Sequence, residues 1–291
     1  MKLTNGQKRK LTNKLTIFFV SLLFVSLLVS FAWRFFGWND KEPINVVVVS
    51  GEKVWVLGVR PAEKRLTEIS IPGNTIVTVG KGKWQSRSLN RLSKLENSPD
   101  VLKSVGWELL EVPIDFVVEI SDFGKENVSY LSQFKLFNRF NFVSLLDTVK
   151  LIKYINSLNE NQILKINIGD TMAARIIADP AGTELVEVDS EALSLQLAEW
   201  FRIESLRNEG LTVAIINASG KTNAGSKLAR QLEHVGLRVI SVSSGEGEAG
   251  LKIKQNSTLK SETAQKISEW FKMKPVVGDF DARADILIVV K

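Results

Sequence analysis

No cysteine occurs in the 291-residue chain. Disulfide staples, thiolate nucleophiles and cysteine-based zinc sites are therefore excluded, and the fold must hold by packing alone. Histidine is nearly absent as well. His234 is the only one, which rules out a multi-histidine metal centre and leaves a serine triad nothing but a residue from a different part of the chain. There is no Gly-x-Ser-x-Gly elbow. No acid falls within the first fourteen positions, which hold Lys2, Lys8, Arg9, Lys10 and Lys14. The chain carries a net +6; those five cations supply +5 and leave +1 for everything else. So small a surplus argues against a nucleic-acid binder, which would need a basic face in the folded part.

What is present first is an uncharged apolar run, Leu15 to Trp33 (LTIFFVSLLFVSLLVSFAW). As a helix it would span about 28 Å, close to the thickness of a bilayer core. Its serines and threonine can bond back to helix carbonyls. A transmembrane helix is expected over residues 15–36, behind a basic cytoplasmic tail, 1–14, with everything after Arg34 outside the membrane. Trp33, Phe35, Phe36 and Trp38 would then form an aromatic belt at the outer interface. A cleaved signal peptide is the alternative, although Ser30, Phe31 and Ala32 make a poor cleavage site.

Residues 39–43 (NDKEP) read as a short polar stalk. Strands are expected at Ile44–Val49, Lys53–Val59, Arg65–Ile71 and Thr75–Val79, then a basic loop, Gly80–Arg87, containing Trp84. Residues 88–111 read as two helical pieces parted by Asn97, Ser98 and Pro99. Ile114–Ile120 is a strand, 121–141 is ambiguous, and Phe142–Leu158 carries a helical stripe. Asp179-Pro180-Ala181-Gly182 sits between two strands as a hairpin turn. A helix capped by Asp189 or Ser190 runs to Phe201, and the polar stretch Arg207–Gly210 is the expected domain boundary. Beyond it, Val213–Asn217, the helix Ala224–Val235 closed by Gly236, and Leu237–Val242 make one β-α-β unit. Leu251–Lys254, Leu259–Phe271, Pro275–Gly278 and Ala284–Val290 repeat the pattern. The expected class is α/β: a transmembrane helix, an α/β sandwich domain (39–204), then a smaller α/β domain of two β-α-β-like units (211–291).

Few residues carry chemistry. Gly220-Lys221-Thr222 suggests a phosphate loop, but Ile215 stands where the first glycine belongs. The loop Ser219, Gly220, Lys221, Thr222 lies between a strand and a helix N-terminus, where an anion or polar sugar could bind or a plain tight connection suffices. Asp279, Asp281 and Asp285 lack the further oxygens of a calcium site and read as a solvated loop. His234 reads as a helix C-terminal residue, explained by capping and solvation. Lys81, Lys83, Arg87 and Arg91, near Trp84 and Trp107, suit a phosphorylated lipid head group or a glycan, or a solvated loop beside an anionic membrane.

Two stretches resemble known bacterial envelope modules. V-A-I-I-N-A-S-G (213–220), A-G-S-K-L-A-R-Q-L (224–232), H-V-G-L-R-V (234–239) and A-D-I-L-I-V-V (284–290) resemble the LytR C-terminal domain. Before them, Ser70-Ile71-Pro72-Gly73-Asn74-Thr75 resembles the Ser-Ile-Pro-Arg-Asp-Thr motif of the LytR-CpsA-Psr domain. Ser88-Leu89-Asn90 is similar to its Lys-Ile/Leu-Asn motif, and Val112-Pro113-Ile114-Asp115-Phe116 to its Val-Pro-Ile-Asp-Tyr, all in the family's order. The resemblance implies a fold and a location, and a family activity: transfer of glycopolymers from polyprenyl pyrophosphate to the wall, with arginines on the pyrophosphate and an Asp-held Mg²⁺. Here Gly73 replaces the Arg, Asn74 the Asp and Ser88 the Lys. The acid expected just after the first strand is missing or reduced to Glu52. Gly cannot supply a guanidinium fork, and Asn is a poorer magnesium ligand. The expectation is thus a membrane-anchored, single-pass envelope protein without catalysis or cofactor, binding glycan, wall polymer or an envelope partner. The alternative is a divergent phosphotransferase, dependent on Mg²⁺, whose arginines have moved to Arg87 and Arg91.

Overall fold

The computed structural model describes residues 19–24, 26, 38, 41–120, 123, 145–254 and 260–291. Of the apolar run, residues 19–24 and 26 are helical and exposed; the rest of the expected transmembrane helix, the basic tail, Trp33, Phe35, Phe36 and the stretch 121–141 apart from Phe123 lie outside the described residues. No helix among the described residues is long and apolar enough to cross a membrane.

The first domain is built on a mixed five-stranded sheet. Strands β1 (Ile44–Ser50), β2 (Lys53–Arg60) and β3 (Arg65–Ile71) form an antiparallel meander. A hairpin, β4 (Ile76–Val79) and β5 (Gly82–Gln85), then leads into α1 (Leu89–Glu96), α2 (Asp100–Ser104) and a π-helical turn, Val105–Leu110. β6 (Phe116–Glu119) joins β1 in parallel, and after α3 (Leu145–Ser157) β7 (Ile163–Asn167) joins β3 in parallel, giving the order β6-β1-β2-β3-β7. The β-branched run of β1 explains its place. Val47 and Val49 face one core while Ile44, Val46 and Val48 face another, and β2 divides in the same way. Each fully buried Val or Leu contributes about 1.5–3 kcal/mol. α3 covers the second face, with Leu151 and Ile152 buried beside Trp55 and Phe123.

A second hairpin, β8 (Ala174–Ala178) and β9 (Glu184–Val188), leads to α4 (Ser194–Phe201) on the first face. A Cβ on Gly58 of β2 would stand 3.1 Å from the Phe201 ring, so glycine lets this helix seat closely. Asp189 accepts the N–H groups of Glu191 and Ala192 ahead of α4. The polar stretch at 207–210 ends α5 (Glu204–Glu209), with Gly210 left-handed at φ +67°.

The second domain has the order β11-β10-β14-β12-β13. β10 (Thr212–Asn217), α6 (Ala224–His234) and β11 (Arg238–Ser244) form a parallel β-α-β unit; β12 (Gly250–Ile253), α7 (Glu262–Phe271) and β13 (Pro275–Val277) form another. β14 (Ile286–Val290) lies between them, parallel to β10 and antiparallel to β12. Leu228 and Leu232 of α6 and Ala264, Ile267 and Trp270 of α7 belong to the same apolar core as Leu109, Leu110 and Val112 of the first domain. The two sheets therefore share one continuous core.

The structure changes several local expectations. Gly80–Arg87 is not a loop: β4 and β5 pair Val77 with Trp84, and 86–88 form a 3-10 turn. Trp38 is not an interfacial residue. It is 7% exposed, sits in the core over β1 and β2, takes its N–H to Asp147 and accepts Lys150 Nζ on its carbonyl. Asp285 is not a solvated loop acid; its carboxylate accepts both the N–H and the hydroxyl of Thr212 at the start of β10, which hold its pKa down. His234 is 1% exposed rather than solvated.

Candidate functional site

The 3-10 turn and α1 bring two of the four expected cations together. Arg87 and Arg91, with Lys94, stand at i, i+4 and i+7, one stripe of a helical path. They line a cleft of about 430 Å³ with Glu52, Ser88 and Asn90, closed at one end by the β1–β2 turn at Gly51 and edged by the exposed Leu95. Asn90 donates to the Gly51 carbonyl (3.0 Å), and Lys94 is bound to Glu119 on β6 (2.8 Å). Lys94 was not among the cations singled out from the sequence; its helical spacing from Arg87 is the signal that marks it.

Lys81 and Lys83 are elsewhere. Both belong to the β4–β5 hairpin, where Lys83 lies 3.8 Å from Glu187 of β9 and Trp84 folds its indole across Gly82. Trp107 is elsewhere too: it meets Phe271 edge-on at 5.4 Å, between the domains.

Gly73 explains the position of Arg87. The Arg87 N–H bonds to the Gly73 carbonyl (3.0 Å), and a Cβ on Gly73 would stand 3.3 Å from the Arg87 Cβ, with its Cγ and Cδ within 4 Å. The Arg87 stem thus lies against the position where the resembled motif carries its own arginine. Asn74 is turned away: its amide donates to the Glu184 carbonyl (3.0 Å) and braces the β8–β9 hairpin. Glu52 is the one carboxylate lining the cleft. Among the described residues, those lining the cleft do not make the Asp-held magnesium site that the resemblance implies.

The second expected site is a cleft of about 620 Å³ at the C-terminal ends of β10 and β11. Gly220, Lys221 and Thr222 line it together with Asn223, Ser243 and Ser244. Ser219 does not; its hydroxyl donates to Asn217 Oδ1, and Asn217 Nδ2 donates to the Lys221 carbonyl. Gly225 has no room for a side chain, since a Cβ would fall 2.8 Å from Val242. The loop is thus internally bonded.

A polar cluster that the sequence did not indicate lies between the domains. Glu111 ends the π-helical turn in a left-handed conformation (φ +49°). Its carboxylate accepts from Arg230 Nε and Nη2 (2.6 and 2.9 Å), and its carbonyl meets His234 Nδ1 (2.9 Å). His234 Nε2 lies 3.0 Å from the Ser194 hydroxyl. Burial lowers the His234 pKa. Burial alone would raise Glu111, but the Arg230 bonds override it and the net shift is downward. Alongside, Lys227 pairs with Glu108, and Asp115 accepts the Trp270 indole N–H (2.9 Å) and Lys266 Nζ (3.3 Å). Apart from Ser194–His234, these are pairs made across more than a hundred residues of sequence.

No protein-family model matches the chain, and no curated protein matches it. Solved structures do. It is similar to Bacillus subtilis TagT, at 15% identity and a TM-score of 0.39, over 58% of this chain and 94% of that one. It is similar to B. subtilis TagV, at 12% identity and a TM-score of 0.38, over 55% of this chain and 98% of that one. A third is the LytR-CPS2A-Psr family protein YwtF (TagT) with bound octaprenyl pyrophosphate lipid, at 15% identity and a TM-score of 0.37, over 56% and 91% of the two chains. The structural neighbours of this chain are thus LytR-CPS2A-Psr family proteins at low sequence identity, a likeness too distant to carry an activity.

Proposed function

We propose that this chain is a cell-envelope protein, anchored by residues 15–36 with its domains outside the membrane, that binds a lipid-linked pyrophosphate in the cleft of Arg87 and Arg91. The observation that carries the reading is Arg87 lying against Gly73, with Arg91 and Lys94 on the same stripe. A guanidinium binds phosphate oxygens as a planar fork, so two arginines suit a diphosphate better than a neutral sugar. The ordered motifs around Pro72, Asn90 and Pro113 support the same lineage of site, and the stretch 213–290 supports a LytR C-terminal-type module beside it.

A second reading is the divergent glycopolymer transferase. The restored guanidinium at Arg87 favours it; the engagement of Asn74 with the Glu184 carbonyl weighs against its metal-dependent form. The test is calorimetric titration of polyprenyl pyrophosphate into the detergent-solubilised full chain, with and without Mg²⁺. Arg87→Ala is expected to weaken binding about tenfold or more, the loss of one charge-assisted pair of about 1.5–3 kcal/mol. Binding unchanged by Mg²⁺ supports recognition; Mg²⁺-dependent binding with hydrolysis of the probe to polyprenyl phosphate and inorganic phosphate, water taking the place of the acceptor, supports transfer. No binding in either condition overturns both.

A further inference from the structure

Sheet edges are where chains pair with one another, and folded proteins guard them with short strands, charges or proline. Among the described residues the sheets of five strands end in four edges. β6 has four residues, β7 carries Lys165 at its centre, and β13 has three residues and begins with Pro275. β11 differs. It has seven residues, RVISVSS, with no charge and no proline after Arg238. Every residue from Ile240 to Ser244 is exposed, Ile240 at 40% and Val242 at 42%. Only its inner side is bonded, to β10, and its one guard is a bulge at Ile240.

We infer that β11 pairs antiparallel with β11 of a second copy of this chain, joining the two sheets of the second domain into one of ten strands. The sequence is self-complementary about Ser241. A two-fold there sets Ile240 opposite Val242 twice, Val239 opposite Ser243 and Arg238 opposite Ser244. The two exposed apolar residues cover each other, and no like charges meet. The exposed Glu246 falls diagonal to Arg238 of the other copy, within reach of opposite charges across a ladder, and the symmetry makes that pair twice. This charge complementarity selects a second copy over an unrelated extended peptide. The pairing is independent of the phosphate-binding reading.

The absence of cysteine gives a direct test. Ser241→Cys puts the chain's only thiol on the two-fold, where paired Cα atoms about 4.5–5.5 Å apart suit a disulfide. The full chain in lipid vesicles is oxidised mildly, with Ala181→Cys on the β8–β9 turn as a collision control. The expected result is a covalent dimer at least tenfold more abundant from Ser241→Cys than from Ala181→Cys. Adding Ile240→Lys should abolish it while leaving far-ultraviolet circular dichroism unchanged. Equal crosslinking at the two sites, or a Ser241→Cys dimer indifferent to Ile240→Lys, overturns the inference, because the apolar run alone would then hold the copies together. A Ser241→Cys adduct with another protein in native membranes, in place of the dimer, also overturns it.

Discussion

Arg60 is a cation in the core of the first domain. It ends a strand and precedes Pro61, yet it is 1% exposed. Its guanidinium donates to the carbonyls of Ile44, Val59, Phe201 and Arg202 and to Asn45 Oδ1. Two of those carbonyls belong to the C-terminal end of α4, where a cation offsets the helix dipole. Burial lowers its pKa to about 10, so it stays charged at neutral pH. Arg60→Met should cost about 3–5 kcal/mol in urea unfolding, because the carbonyls it serves would be left buried and unpaired. His234 gives a prediction in pH. Its folded pKa lies below the unfolded value of 6.5, so the unfolded chain takes up a proton first as pH falls, and stability declines from pH 6.5 downward. Glu111, whose pKa is lowered from 4.5, adds a loss in the same direction nearer that value. His234→Gln should flatten the upper part of this decline in thermal unfolding measured from pH 7 to 5. None of these environments could be seen in the sequence, because burial of a polar residue depends on partners tens to hundreds of positions away.

Most elements were legible, the short strands β4, β6, β12 and β13 included, and β5, β7 and the π-helical turn were not. The β-branched β1, the stripe of α6 and the glycine stop at Gly236 each repeat a signal over several residues, and each stands within a residue or two of its expected limits. β5 and β7 have four and five residues, with Gly82 and Lys165 interrupting their alternation, too little pattern to outweigh a loop. The π-helical turn has no sequence period of its own. Packing makes it: Gly106 lies so close to Ile114 that a Cβ would stand 2.1 Å from Cγ1. Gly106→Ala should therefore force the turn off Ile114 and displace Glu111, destabilising the protein by about 2–3 kcal/mol, an overpacking cost readable as a fall in thermal midpoint. Of the cleft, the sequence showed Arg87 and Arg91. It also grouped with them Lys81 and Lys83, which a hairpin carries to β9.

At the scale of the whole molecule, the two β-α-β units were legible from their strand and helix spacing, while the union of the domains was not. One apolar core runs from Val47 of the first sheet to Ile288 of the second, and the polar contacts around Glu111 and Asp115 seal it. Residues 39–204 and 211–291 should accordingly unfold together. A single urea transition is expected, with tryptophan fluorescence and far-ultraviolet circular dichroism coincident; two separated transitions would show that the shared core divides.

The clasp on Trp38 makes β1 a ruler. Trp38 is fixed to α3, and β1 begins six residues later and ends at Ser50, beside the turn that closes the arginine cleft. Seven strand residues measure about 23 Å. Only residues 34–37 separate Trp38 from the apolar run. On the reading that the run spans a bilayer, the tilt of one strand sets the altitude of the cleft. Upright, β1 would lift it about 23 Å clear of the lipid phosphates. Lying along the surface, it would bring Arg87 and Arg91 level with them.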